Sequence, residues 1–364
     1  MSKQTVLFDH QTFEMQKFGG ISRYFFELRQ KLDCNVKLSL GVTTNHYLKS
    51  SGNCPALYLP ERPYKWLKGP IKKYNLSVSQ KEIRKGDYDI FHPTYYNPYF
   101  LGVLPQGKPY VITVHDMNHE LFPQYFGNAD KMTAWKKETV SNASRIIAIS
   151  QRTKADLIRF FDVPEEKIDI IYHGIAQKMI PYNGLRLPEK YILYVGDRHG
   201  YKNFATFFEA FSRLAHKDKA LHLICTGKAW KKAEIKLFED SGLSDRIMHI
   251  RANDFELGQL YQQARLFVYP SLYEGFGIPI LEAYINKCPV ALSNASCFPE
   301  VAAEAGEYFQ PENPDSIYQS IKRLCSDEER RQELINAGLS RVRLFTWEET
   351  AKKTLETYQK VINR

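Results

Sequence analysis

The sequence contains no apolar run of about 18 residues, so it offers no helix able to span a membrane. It has no low-complexity tract, and 43% of its residues are apolar and 25% charged, which excludes disordered and fibrous classes. Its 6 cysteines, at 34, 54, 225, 288, 297 and 325, form no CxxC pair. A disulfide framework or a zinc site therefore has little support, and a reducing cytoplasm is the expected setting. The opening residues, MSKQTVLFDHQTFEMQKFGG, lack the basic-then-apolar layout of a secretion signal. Neither GxxxxGK[ST] nor GxGxxG occurs, so neither a Walker loop nor the dinucleotide fingerprint is present. No repeat of 20–50 residues is apparent, which excludes a solenoid.

What is present is enough for two domains. The 364 residues exceed one ordinary core and suit two units of about 150–200 residues. Short β-rich apolar runs alternate with helical periodicity, the pattern of βαβ units on parallel sheets. Strands are expected at Thr5–Phe8, Val36–Leu40, Asp89–His92, Tyr110–Val114 and Arg145–Ile149. A second series falls at Tyr191–Val195, Leu221–Cys225, Ile247–Ile250, Leu266–Tyr269 and Val290–Leu292. Helices are expected between them, notably at Ile21–Leu32 and Lys131–Ala143. The fold class is then α/β, two doubly wound Rossmann-like domains over 1–178 and 186–346. A Pro-, Asn- and Gly-bearing linker at 177–188 joins them, and a last helix covers 347–364.

The net charge of +9 is unevenly spread. Residues 1–180 carry 25 basic and 17 acidic side chains, so nearly the whole excess lies in the first half. Residues 61–85, ERPYKWLKGPIKKYNLSVSQKEIRK, hold eight Lys or Arg against Glu61 and Glu82. Arg62, Lys65, Trp66, Lys68, Lys72 and Lys73 make the densest part. Such a patch suits an anionic membrane, a phosphorylated substrate or nucleic acid. No RRM, KH or zinc-finger pattern accompanies it, so nucleic acid is not expected. A plain solvated helix face remains the simpler alternative.

The chemistry concentrates where expected strands end. After Leu266–Tyr269 comes YPSLYEGFGIPILEAY, with a Gly275-Phe276-Gly277 loop and Pro279 placed to open a helix. Glycines allow close approach of a ligand, and a helix start offers unpaired N–H groups to phosphate. Glu274 lies in the loop, and Glu282 is expected in the first helical turn. Both are suited to accepting hydrogen bonds from vicinal hydroxyls. After Tyr191–Val195, the run YVGDRHGYKN sets Arg198 and Lys202 at a strand-to-helix junction, a planar fork and a point charge suited to a diphosphate. Gly227 follows Leu221–Cys225 in similar fashion. In the first half, Gly19 and Gly20 precede a helix, and His115 ends the strand Tyr110–Val114. His92, Ser150 and His173 also fall at strand ends, with no role assigned.

Glu274-Gly-Phe-Gly-Ile-Pro-Ile-Leu-Glu282, with the other motifs, resembles the retaining glycosyltransferases of family 4, over nearly the whole chain and least in residues 40–85. The resemblance implies a GT-B fold of two facing Rossmann-like domains with a deep cleft and a C-terminal crossover helix. It implies that Arg198 and Lys202 neutralise the leaving nucleoside diphosphate, Glu274 holds donor-sugar hydroxyls, Glu282 holds the ribose, and His115 orients sugar and acceptor. Gly19, Gly20, Gly227, Phe276, Gly277 and Ile278 then belong to the donor site. No cofactor is expected. Asp87-Tyr88-Asp89 matches a DxD metal motif but stands at a strand's entry, so no metal site is assigned. TVHDMNHELFPQYF and GGISRY are similar to bacterial mannosyltransferases of O-antigen and capsular assembly. GDP-mannose is thus the favoured donor, with UDP-sugars next. The acceptor is expected to be a saccharide carried on a lipid diphosphate, and the enzyme peripheral at the inner face of the plasma membrane. A non-transferring, epimerase-like sugar-nucleotide enzyme of the same fold is the alternative.

Overall fold

A computed structural model describes residues 3–52, 54–176 and 182–362. Residues 177–181 of the expected linker lie outside the described residues. The chain folds as two compact units, Met1–Gly174 with Trp347–Arg364, and Ile175–Thr346.

In unit 1 the strands are β1 (Thr5–Phe8), β2 (Asn35–Leu38), β3 (Val42–Thr43), β4 (Leu57–Tyr58), β5 (Ile90–His92), β6 (Val111–Val114), β7 (Arg145–Ala148) and β8 (Ile168–Ile170). They pair in parallel as β2-β1-β5 and β6-β7-β8, with β3-β4 as a separate pair. A parallel bridge from Phe91 to Tyr110 links the two larger groups. The strand order reverses between β1 and β5, and ligands of doubly wound sheets lie beyond such a point. Helix Trp347–Ile362 belongs to this unit. It buries Trp347, Ala351 and Tyr358 against a core that includes Phe8, Phe25 and Leu28.

In unit 2 the strands are β9 (Tyr191–Tyr194), β10 (His222–Cys225), β11 (Ile247–His249), β12 (Leu266–Tyr269), β13 (Val290–Ser293) and β14 (Glu307–Phe309). They form one sheet ordered β11-β10-β9-β12-β13-β14, with every pairing parallel. The runs YILY, LFVY and VALS are buried at all four positions, as a sheet covered on both faces demands. Phe204, Phe207, Phe208 and Phe211 of helix Phe204–Lys217 supply much of the cover. Each such ring contributes about 1.5–3 kcal/mol by burial. Here the order reverses between β9 and β12, so the loops after Tyr194 and Tyr269 face one crevice.

Ten expected strands are present within one or two residues at each end. The four others, β3, β4, β8 and β14, are two or three residues long, too short to carry a periodic signal. The basic segment is one 25-residue helix, Glu61–Lys85, that continues through Pro70. Its buried positions Tyr64, Ile71, Asn75, Ser79 and Ile83 recur at near-helical spacing, and Gly86 ends it in the left-handed region at φ 69°.

Candidate active site

The crevice between β9 and β12 is laced by its own loops. Lys202 closes a 3-10 turn, Gly200–Lys202, and its Nζ lies 2.6 Å from Glu274 Oε1. The same oxygen accepts the Ser271 hydroxyl at 2.8 Å. The Leu272 N–H donates to the Tyr201 carbonyl, and Asn203 Nδ2 donates to the Pro270 and Pro311 carbonyls. Asn203 sits at φ 57°, a left-handed conformation that asparagine tolerates better than most residues. Behind Glu274, the Ser296 hydroxyl accepts its N–H and donates to its carbonyl, and the Cys297 thiol donates to that carbonyl as well. Burial, helped by Glu274 and Glu300, pushes the Cys297 thiol well above its ordinary range, so it is not a nucleophile.

The paired-glutamate loop differs from expectation in two details. Gly277, at φ 92°, is the residue before helix Ile278–Ile285, so Pro279 is the second helical residue. Glu282 is the fifth, beyond the first turn, where it accepts the Tyr261 hydroxyl at 3.4 Å. The expectation counted the helix from Pro279, one residue after its start. Phe276 is buried, its ring edge-on to Phe345 at 5.7 Å. Gly227 adopts φ 90°, and a Cβ there would collide with the Gly196 carbonyl, so the loops after β9 and β10 touch only because this residue is glycine.

Arg198 is held by partners within unit 2. Its side chain is 3% exposed. Nε donates to Glu234 Oε1 at 2.8 Å, Nη1 to the Thr226 carbonyl at 2.7 Å, and Nη2 to the Lys228 carbonyl. The guanidinium also lies 4.3 Å from the centre of the Trp230 ring. Expected beside Lys202 as a second diphosphate cation, Arg198 bonds here to the 226–234 segment. Its partners stand 28 to 36 residues away and leave no mark near YVGDR.

In unit 1, Gly19 is extended, at φ 166°, and precedes helix Gly20–Lys31. A Cβ there would meet the Gln16 amide oxygen, which is held by the Ser22 N–H at 2.9 Å. His115 is buried among the rings of Tyr24, Phe25 and His173. Burial, with His92 and Lys136 adding, drives its pKa down to about 3, so the ring is neutral at physiological pH. Its Nε2 has no partner among the described residues.

Three other strand-end groups are structural. His92 is fully buried, with Nδ1 2.6 Å from the Tyr358 hydroxyl and Nε2 3.0 Å from the Thr113 hydroxyl. Ser150 caps helix Gln151–Phe161 by accepting the Thr153 N–H. Asp89 precedes β5 and accepts the Thr5 N–H at 2.7 Å. Among the described residues no group of three or more His, Cys, Asp or Glu is placed to hold a metal ion, and no helix is long and apolar enough to cross a membrane. The residues that sequence reasoning missed are Ser271, Asn203, Ser296, Trp230 and Glu234. Only Asn203 carried a signal, a turn-favouring residue directly before an aromatic helix.

Two doubly wound units of parallel sheet, one with a cation and a carboxylate paired at its topological switch point, have the architecture of the GT-B fold. Residues 18–177 match the family model described as Glycosyltransferase Family 4, and residues 177–341 match Glycosyl transferases group 1. The matches abut, and together they make the chain a glycosyltransferase with a family 4 and a group 1 domain. It is 29% identical over 290 residues to O-antigen chain mannosyltransferase B of Escherichia coli, covering 75% of this chain and 74% of that one. It is 26% identical over 300 residues to the MMP alpha-(1->4)-mannosyltransferase of Mycolicibacterium hassiacum, covering 77% and 72%. Among solved structures, sucrose-phosphate synthase of Thermosynechococcus elongatus superposes with a TM-score of 0.77 at 20% identity, over 99% of this chain and 100% of that one. A glycosyltransferase of Rickettsia africae does so at 0.74 and 18%, over the whole of both chains.

Proposed function

We propose that the protein is a retaining, metal-independent mannosyltransferase that moves mannose from GDP-mannose to a saccharide acceptor, itself carried on a lipid diphosphate, in O-antigen or related surface-polysaccharide synthesis. The Lys202–Glu274 pair at the β9/β12 crevice carries this reading, and relatives named as mannosyltransferases support the donor sugar. As the glycosidic C–O bond breaks toward an oxocarbenium-like state, Lys202 and the N–H groups opening helix Ile278–Ile285 meet the growing charge on the diphosphate. Glu274 turns toward the donor sugar hydroxyls and Glu282 toward the ribose. Neutral His115 orients sugar and acceptor through hydrogen bonds alone. With no side chain among the described residues placed as a double-displacement nucleophile, attack comes from the leaving-group face, and a departing phosphate oxygen takes the acceptor proton. Arg198 contributes by holding the 226–234 segment.

A panel of GDP-, UDP-, ADP- and dTDP-sugars, assayed in excess chelator with the product anomer read by NMR, tests this. The fastest transfer is expected from GDP-mannose, with retention. Preference for a UDP-sugar overturns the donor, and activity lost to chelator and restored by a divalent cation overturns metal independence. Turnover of the sugar nucleotide without transfer points to the epimerase-like alternative.

The first turns of helix Glu61–Lys85 support docking at an anionic inner-leaflet surface. Trp66 is 89% exposed and stands with exposed Leu67 and Tyr74 among Arg62, Lys65, Lys68, Lys72 and Lys73. A cavity of about 470 Å³ is lined by Lys68 and Lys72, by Lys17 and Lys65, which both pair with Glu61, and by Glu14. Changing Lys68, Lys72 and Lys73 together to alanine, at about 1 kcal/mol per cation, is expected to weaken binding to phosphatidylglycerol vesicles on the order of 10²-fold. Equal sedimentation with neutral and anionic vesicles returns the helix to a plain solvated face.

A further inference from the structure

The loop after β6 concentrates buried polar atoms with no partner. His115 Nε2, Asn118 Oδ1, His119 Nδ1 and Glu120 Oε1 are all unpartnered among the described residues, within six positions of one another. The charge below them is spent. Lys136, whose side chain is fully buried, gives its Nζ to Glu120 Oε2 at 2.8 Å and to the Asp116 carbonyl at 2.9 Å. That pair fixes the Glu120 side chain, itself 1% exposed, and leaves its second oxygen an acceptor without a donor. Burying a carboxylate oxygen unpaired is costly unless a ligand supplies the bond.

Glu120 and His119 line an open cavity of about 390 Å³ in unit 1, together with Pro123, Asp130, Thr133, Phe160 and Phe161. That volume lies within the range of small-molecule sites. Its chemistry selects the class of occupant. Two carboxylates and no uncommitted cation in the lining repel a phosphate. No three His, Cys, Asp or Glu side chains among the described residues are grouped to hold a metal. What remains is a neutral ligand rich in hydroxyl donors, with C–H faces for the two phenylalanines. We propose that this cavity binds a pyranose ring of the saccharide acceptor, its hydroxyls donating to Glu120 and Asp130. The proposal rests on reading unit 1 as the acceptor-binding half.

Methyl α-D-mannopyranoside, -glucopyranoside and -galactopyranoside can be titrated onto the full chain by saturation-transfer NMR. Asp130→Ala and Thr133→Val are compared with Glu120→Gln, and acceptor KM is measured on the same preparations. Asp130 is exposed in the first turn of helix Ala129–Ser141, so its variant keeps the test sound if Glu120→Gln fails to fold. At least one glycoside is expected to bind saturably, and each variant to weaken it and raise acceptor KM by about fivefold or more, the scale of one hydrogen bond. GDP affinity should be unchanged. Binding unaffected in every variant, or absent from the parent chain, overturns the cavity. Binding lost while acceptor KM holds overturns instead the acceptor role of unit 1, and the proposal with it.

Discussion

Lys202→Ala is expected to lower kcat for sugar transfer by about 10²-fold or more, the scale of removing one preorganised donor at the developing charge. The ammonium lies 2.6 Å from Glu274 in a pair whose side chains are only 20% and 11% exposed. On the proposed reading, an entering diphosphate would compete with Glu274 for that ammonium and release the carboxylate to the sugar hydroxyls. Glu274→Ala should therefore cost a similar factor for a different reason, loss of the sugar contact. The double variant separates this from a purely structural pair. If the two residues serve only each other, removing both recovers much of what either alone loses. If both act on the donor, the double variant is at least as slow as the worse single one. Donor kcat and KM for the three variants decide it, and near-normal turnover in both single variants removes the assignment.

How far the sequence alone reaches is visible in these same residues. Glu274 and Lys202 were legible because strand-end position, glycine neighbours and charge are all local, and the switch point between β9 and β12 then brings them together. The buried runs of the parallel sheets were legible because four consecutive apolar residues between helices suit a strand covered on both faces and little else. Helix Glu61–Lys85 was read as a charge patch without its length, since an internal proline ordinarily argues for a break. Glu282 was misplaced by one helix start. The burial of His115 could not be read at all, because Tyr24, Phe25 and His173 reach it from segments remote in sequence.

The partners of Arg198 are the contacts least legible locally, and they give the second large effect. Arg198→Ala is expected to destabilise unit 2 by about 3 kcal/mol, because removing one partner of a buried ion pair strands the other. Glu234 loses its cation, and the Thr226 and Lys228 carbonyls lose their donor. For a unit of this size the loss should appear as a fall in Tm of about 5–10 °C. Arg198→Lys should rescue little of it, since an ammonium cannot span a carboxylate and two carbonyls as the planar fork does, nor stack equally on Trp230. Glu234→Gln should cost less, because an amide oxygen still accepts from Nε. Nucleotide binding should weaken in step with the loosening of the 226–234 segment, while kcat at saturating donor falls much less than in Lys202→Ala. A variant with unchanged Tm and a kcat loss matching Lys202→Ala would return Arg198 to the diphosphate. Thermal melts and donor saturation curves on the same preparations distinguish the two, since a cation acting on the transition state need not hold the fold, whereas this one is built into it.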